Sequence, residues 1–223
     1  MPRQKQNKKI ILGVTGSFGS GKTTVAGFFK TFGAEVIDAD KLAHERIAPK
    51  GKCYKRIIAA FSEQILRSDE TIDRSKLSGM VFDNKKLLKK LNKIVHPEVI
   101  REIKKRIKKS KTKIIVLDVP LLIESGLEKL VDKLIVVKIN RNEQIKRIKN
   151  KTSLSEKDIL KRINSQIPLR VKERLADFVI DNSATAGITK EQVKTIWRSL
   201  VPQNAGLGIN SPESLLAGSL RRL

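Results

Sequence analysis

Apolar residues along this chain recur at two spacings. Five short runs are nearly continuous in β-branched and aliphatic side chains: 9–14, 35–38, 113–118, 134–139 and 178–180. Unbroken runs of this length suit strands covered on both faces, as in a parallel sheet. Between them, apolar residues fall three and four apart, which is the helical spacing. Helices are predicted over 22–32, stopped by Gly33 as a C-terminal cap, and over 85–95, 97–109, 143–150, 155–164 and 192–200. The stretch "SEKD" at 155–158 has the spacing of a capping box. Strands alternating with helices predict an α/β fold with right-handed crossovers. About seventy residues separate the second and third strands, far more than one crossover helix needs. An inserted subdomain is expected there, with substrate binding as its task. After Pro202 the periodicity fades into "QNAGLGINSPESLLAGSLRRL", read as a mobile tail with one marginal helix at 212–222. No internal repeat is present.

Charge is the first feature of composition to alter this picture. Lys and Arg number 47 against 23 Asp and Glu, a formal net charge of +24. Residues 85–113 alone carry thirteen basic side chains and two acidic ones, Glu98 and Glu102. Such a bias attracts polyanions. These charges nevertheless interleave with apolar residues at helical spacing, as on the solvated face of amphipathic helices. Seven Phe, one Trp and one Tyr leave few platforms for base stacking, and no specific nucleic-acid partner is expected. The single cysteine, Cys53, excludes an internal disulfide and a cysteine-rich metal site, and reads as packing. His44 and His96 are the only histidines, and no metal-ligand cluster accompanies them. No apolar run approaches a membrane span. The basic start "MPRQKQNKK" is followed only by "IILGV" and no cleavage site, so the chain reads as cytoplasmic with no membrane partner.

Residues 13–24 read "GVTGSFGSGKTT", with four glycines in nine residues. Residues 16–23 fit G-x-x-x-x-G-K-[ST], directly after a predicted strand and opening a predicted helix. That context marks a phosphate-binding loop. Main-chain N–H groups must wrap a triphosphate, side chains would hold the backbone away, and glycine also permits positive φ. The helix that follows aims its free amides and positive dipole end at the phosphates. In such a loop Lys22 bridges the β- and γ-phosphates and the Thr23 hydroxyl ligates Mg²⁺.

Ligands of open α/β sheets bind at the carboxyl ends of the strands, so carboxylates there carry weight. "EVIDAD" puts Asp38 and Asp40 at the end of the second strand, two apart and on one face if extended. Asp40 either accepts a proton from an attacking hydroxyl and helps hold the metal, or caps a helix beginning "KLAHERI"; Asp38 is open to either role. Asp118 closes the third strand, where a carboxylate contacts Mg²⁺ through water. Arg147, Lys151 and Arg162 lie on or near two helices of the kind that form a lid, whose cations meet the charge of a transferring phosphate. Singly, each also reads as a solvated surface charge. His96 in "KIVHPEV" precedes Pro97 and reads as a packed or capping residue at a helix start. None of "NKKL", "NKIV" or "NKTS" supplies the guanine-reading N-K-x-D of a GTPase switch.

In order, "GVTGSFGSGKTTVAGFF", "GAEVIDADKLA", "IDRSKLSGMVF", "LNKIVHPEV", "DVPLLIESG", "QIKRI", "RINSQIPL" and "ADFVIDNS" resemble the dephospho-CoA kinase family over residues 10–183. The resemblance implies a P-loop NTPase fold of the α/β class, three αβα layers with a five-stranded parallel sheet. It implies a nucleotide-binding core at 9–40, 113–140 and 165–202, a helical substrate domain at 41–112, a helical lid at 141–164 and a flexible tail at 203–223. The implied reaction moves the γ-phosphate of ATP, with Mg²⁺, to the 3′-hydroxyl of dephospho-CoA, the last step of coenzyme A synthesis. On the matching positions Asp40 is the base and Lys22 a further catalytic group. Gly19, Ser20, Gly21, Lys22, Thr23 and Thr24 hold ATP, and Asn182 lies by the adenine. Arg147, Lys151 and Arg162 contact phosphate from the lid, and Thr23 and Asp118 hold the metal. Asp38, Arg74, His96, Pro120 and Leu121 shape the CoA pocket. The chain departs from the family at Ser17 and Ser62, where glycine is common, and at His44 and Lys151, where arginine is common. The last two lose a bidentate phosphate contact. A monomer or weak homo-oligomer is expected. A P-loop kinase for nucleosides or nucleotides, or a basic P-loop protein that binds nucleic acid, are the competing readings.

Overall fold

The computed structural model describes residues 9–82 and 84–201. The tail expected at 203–223 lies outside the described residues. Five parallel strands form one sheet: β1 (Ile10–Gly16), β2 (Glu35–Asp38), β3 (Ile114–Asp118), β4 (Lys133–Lys138) and β5 (Phe178–Asp181), in the order β2-β3-β1-β4-β5. β1 lies at the centre; the chain crosses from it to β2 at one edge, then reverses and runs through β3, past β1, to β4 and β5. Registry aligns Asp38 and Val14 with Asp118 in one row across three neighbouring strands. Two carboxylates therefore share the carboxyl edge of the sheet with the end of β1.

Successive strand residues point to opposite faces, and each face has its own helices. Leu12, Val14, Val116, Ile135, Val137 and Ile180 meet α1 (Lys22–Thr31) and α9 (Ala186–Leu200) through Val25, Phe29, Val193 and Ile196. The alternate residues Ile115, Leu117, Leu134 and Val136 meet α2 (Ala39–Ile47) and α5 (Lys85–Lys109) through Leu42, Val99 and Ile103. The outcome is three layers, αβα, as the alternation of strands and helices predicts.

Between β2 and β3 stand α2, α3 (Tyr54–Phe61), α4 (Arg74–Phe82) and α5. Cys53, Ile57, Phe61, Ile65, Ile72, Leu77, Val81 and Ile94 form a separate apolar cluster there, which gives Cys53 its packing role. Further along come α6 (Arg141–Lys151), α7 (Glu156–Asn164) and α8 (Leu169–Leu175). Ser155 caps α7 by accepting from the Asp158 N–H, the first bond of the expected capping box.

Pro97 corrects one helix assignment. The segments 85–95 and 97–109 are a single helix, α5, with the proline inside it. An interior proline removes one N–H and costs about 3 kcal/mol. Ile94, Val99 and Ile103 run as one buried stripe past the proline, and each buried aliphatic side chain contributes about 1.5–3 kcal/mol. Burial outweighs the break. His96, expected to pack or cap at a helix start, is instead mid-helix and exposed. Lys86, Lys89, Lys93, Lys104, Lys105 and Lys108 are exposed as well, so much of the dense positive charge is the wet face of α5. Among the described residues no helix is long and apolar enough to cross a membrane.

Candidate active site

The loop between β1 and α1 needs its glycines. Gly19 and Gly21 have φ of 74° and 89°, in the left-handed region that side chains disfavour. A Cβ on Gly19 would collide with Ile148 of α6, and one on Gly21 with the Asn182 amide. α2, α5, α6, α7 and α9 begin with a capping side chain, from Asp38, Asn84, Asn140, Ser155 and Thr185. α1 has none, and its first turn carries no acidic residue. Its leading amides and positive dipole end are therefore left for an anion. Ser20 Oγ, fully buried in the same loop, has no hydrogen-bond partner.

Lys22 is only 8% exposed, and its Nζ donates to the carbonyls of Ser17 (3.0 Å) and Gly16 (3.4 Å). Burial lowers its pKa to about 8, opposed by the Asp118 charge and aided by that of Lys172. An ammonium curled over carbonyls of its own loop is a cation short of a counter-charge. Asp118 is buried at the end of β3 and accepts a hydrogen bond from Thr23 Oγ1 at 2.9 Å. Burial raises its pKa, against the Thr23 bond and the Lys22 charge. Hydroxyl and carboxylate oxygens side by side are the hard donors that Mg²⁺ takes. The bare amides, the orphaned Ser20 hydroxyl and the Lys22 ammonium suit a nucleotide polyphosphate.

Asp38 corrects the reading of "EVIDAD". β2 ends at Asp38 and α2 begins at Ala39, so the two acids do not lie on one extended face. Asp38 caps α2 by accepting from the Lys41 N–H at 2.9 Å, which ties up the carboxylate expected in the CoA pocket. Asp40 sits in the first turn with its side chain exposed and makes no cap. Desolvation by the surrounding protein, then the Asp38 charge, raises its pKa; His44, Lys22 and Arg74 pull it down. These influences bring Asp40, Lys22 and Arg74, the first residue of α4, within electrostatic reach of one another. Desolvation also lowers the His96 pKa. Pro120 accepts from Thr15 Oγ1 through its carbonyl at 3.1 Å, and Leu121 beside it is 46% exposed.

Asn182 and Arg147 both hold protein partners near the loop. Asn182 is buried, donates through Nδ2 to the Ser20 carbonyl (2.8 Å) and accepts from Thr189 Oγ1 (2.9 Å). Its amide ties the end of β5 to the loop. The Arg147 guanidinium donates to the carbonyls of Asn182 (2.8 Å) and Ala184 (3.3 Å). Both side chains satisfy backbone carbonyls of loops that sequence separation hides. Lys151 is exposed at the end of α6. Arg162 stacks its guanidinium 5.6 Å from the centre of the Phe18 ring, over the loop's outer bend.

Other side chains at the site had no role assigned from the sequence. Gln144 is 3% exposed and donates to Ser17 Oγ at 2.8 Å, and Gln166 accepts from the Phe18 N–H at 2.8 Å. Lys172 is fully buried, 2.7 Å from Glu124. The signal for Gln144 was a polar residue on the apolar side of α6, four residues before the buried Ile148.

The family model for dephospho-CoA kinase matches residues 10–190. The chain belongs to the dephospho-CoA kinase family. A dephospho-CoA kinase of Carboxydothermus hydrogenoformans is 43% identical over 189 residues, covering 83% of this chain and 92% of the relative. A crystal structure from Thermus thermophilus aligns with TM-score 0.78 at 28% identity, over 87% of this chain and 99% of that one. A dephospho-CoA kinase from Campylobacter jejuni aligns with TM-score 0.63 at 29% identity, over 85% and 96%. Membership makes the chain an ATP-dependent kinase of coenzyme A synthesis. The motifs that resemble the dephospho-CoA kinases all fall inside the matched residues.

Proposed function

We propose that this dephospho-CoA kinase carries its reaction on Asp40, Lys22, Thr23 and Asp118, with the ribose 3′-hydroxyl of dephospho-CoA as acceptor. The observation that carries the assignment is Asp40 itself: an exposed carboxylate at the carboxyl edge of the sheet, made more basic by its surroundings and electrostatically coupled to Lys22. A more basic carboxylate is a better general base near neutral pH. Asp40 accepts the hydroxyl proton as the acceptor oxygen bonds to the γ-phosphorus. The bond from that phosphorus to the β,γ-bridging oxygen breaks, and ADP leaves. Lys22 exchanges its contacts with the Ser17 and Gly16 carbonyls for β- and γ-phosphate oxygens. Thr23 and Asp118 would hold Mg²⁺, which would supply positive charge against the negative charge developing on the phosphates.

The segment with its own apolar cluster, α2 to α5, receives dephospho-CoA, with Arg74 near the acceptor and Leu121 on the rim. α6 and α7 form the lid, which brings Arg162 and Lys151 toward the transferring phosphate. The test is a phosphorylation assay across dephospho-CoA, nucleosides and nucleoside monophosphates with ATP and Mg²⁺. Turnover confined to dephospho-CoA, with product phosphorylated at the ribose 3′ position, supports the assignment. Preference for a nucleoside or monophosphate overturns it.

A further inference from the structure

The outer bend of the P-loop, residues 17–18, lacks enough hydrogen-bond partners of its own. Inside the loop the Ser17 carbonyl takes the Ser20 N–H (3.1 Å) and the Lys22 ammonium (3.0 Å), and neither bond reaches Phe18. The Ser17 hydroxyl and both backbone groups of Phe18 are met by two glutamines from the roots of the lid. Gln144, in the second turn of α6, donates through Nε2 to Ser17 Oγ (2.8 Å) and to the Phe18 carbonyl (2.5 Å). Gln166, two residues past α7, accepts the Phe18 N–H through Oε1 (2.8 Å). The backbone beside Gln166 is held in turn. Glu124 Oε1 accepts the Ile167 N–H at 3.2 Å and pairs with the fully buried Lys172 at 2.7 Å. Ile148 of α6 packs where a Gly19 side chain would be, and Arg162 of α7 lies over the Phe18 ring.

We propose that Gln144 and Gln166 are positioning residues that hold the P-loop in its triphosphate-binding shape, one acting only as a donor and the other only as an acceptor. Neither touches nucleotide. A glycine-rich loop has much conformational freedom to lose on binding, and the two amides remove part of it beforehand. Because they stand where the lid enters and leaves, the stance of α6 and α7 and the spacing of the loop's amides are linked. The inference rests on the loop being the ATP site, and not on the identity of the acceptor.

Opposite polarity makes the proposal testable with isosteric changes. Glutamate keeps both acceptor oxygens of glutamine and loses its N–H donors. Gln166→Glu should therefore keep ATP affinity within about threefold, while Gln166→Leu leaves the part-buried Phe18 N–H without this acceptor and should weaken it about tenfold or more. Gln144→Glu sets a carboxylate against the Phe18 carbonyl and should weaken ATP binding more than Gln144→Leu does. The measurements are calorimetric titration with ATP alone, then KM for ATP and for dephospho-CoA. Melting temperature reports whether each variant folds. Loss confined to ATP, in the stated order, supports the proposal. Equal losses for Gln166→Glu and Gln166→Leu, a harmless Gln144→Glu, or equal losses in both KM values overturn it. Titration with ATP needs no acceptor, so a wild-type enzyme inactive on dephospho-CoA would count against the acceptor assignment and leave this reading standing.

Discussion

Raising the pH should weaken ATP binding in a window set by one buried ammonium. The Lys22 pKa falls from 10.5 to about 8, chiefly through desolvation. A triphosphate brings negative charge into that pocket and draws the proton back, so ATP binds the protonated form and takes up protons from solution. With a pKa of about 8, half the free protein is protonated at pH 8, giving uptake of about 0.5 proton per ATP, rising toward one by pH 9. Affinity should be flat below about 7 and fall about tenfold per unit above 8. The terminal phosphate, with a pKa of about 6, is already ionised across this window. The free enzyme should show the reverse slope. Between about 8 and 10.5 the unfolded chain holds the Lys22 proton more tightly than the folded one, so folding stability rises with pH. The whole span is worth about 3 kcal/mol at 1.36 per unit. Titration calorimetry with ATP from pH 7 to 9, in buffers of differing ionisation enthalpy, reads the proton directly. Lys22→Arg, always charged, should bind ATP without uptake. Uptake that is absent near pH 8 in the wild type, or persists unchanged in Lys22→Arg, refutes the reasoning.

Asp40→Asn should lower kcat about 10²–10⁴-fold while the Kd for ATP stays within a factor of two, by steady-state assay and titration. Thr23→Val removes the hydroxyl that bonds Asp118, and should raise the Mg²⁺ concentration for half-maximal rate with little change in acceptor KM. Gly21→Ala forces a methyl group into the Asn182 amide at a φ of 89°. ATP binding should be lost, and the melting temperature should drop by several degrees, about 1–3 kcal/mol of strain.

The P-loop was legible in the sequence because its chemistry is local. Glycines, Lys22 and Thr23 stand within one strand–turn–helix unit, and their spacing alone states the geometry. The five strands were legible because burial on both faces leaves continuous apolar runs. α5 was not, since the stripe of Ile94, Val99 and Ile103 that carries it past Pro97 matters only against the sheet and the inserted helices. Asn182 and Ser20 are 162 positions apart, and Gln144 and Ser17 are 127 apart. No local pattern announces such bonds. The cap of α2 turned on one residue: ending β2 at Asp38 made that acid the cap and freed Asp40.

α5 joins two of the apolar clusters, with Leu87, Leu91 and Ile94 at the one between β2 and β3 and Val99 and Ile103 against the sheet. Pro97 falls between those two sets, and there the missing N–H takes one rung from the ladder. The helix is thus a lever whose softest point coincides with its fulcrum. A small flexure there would shift α3 and α4, which pack on its first half, relative to the sheet that its second half covers.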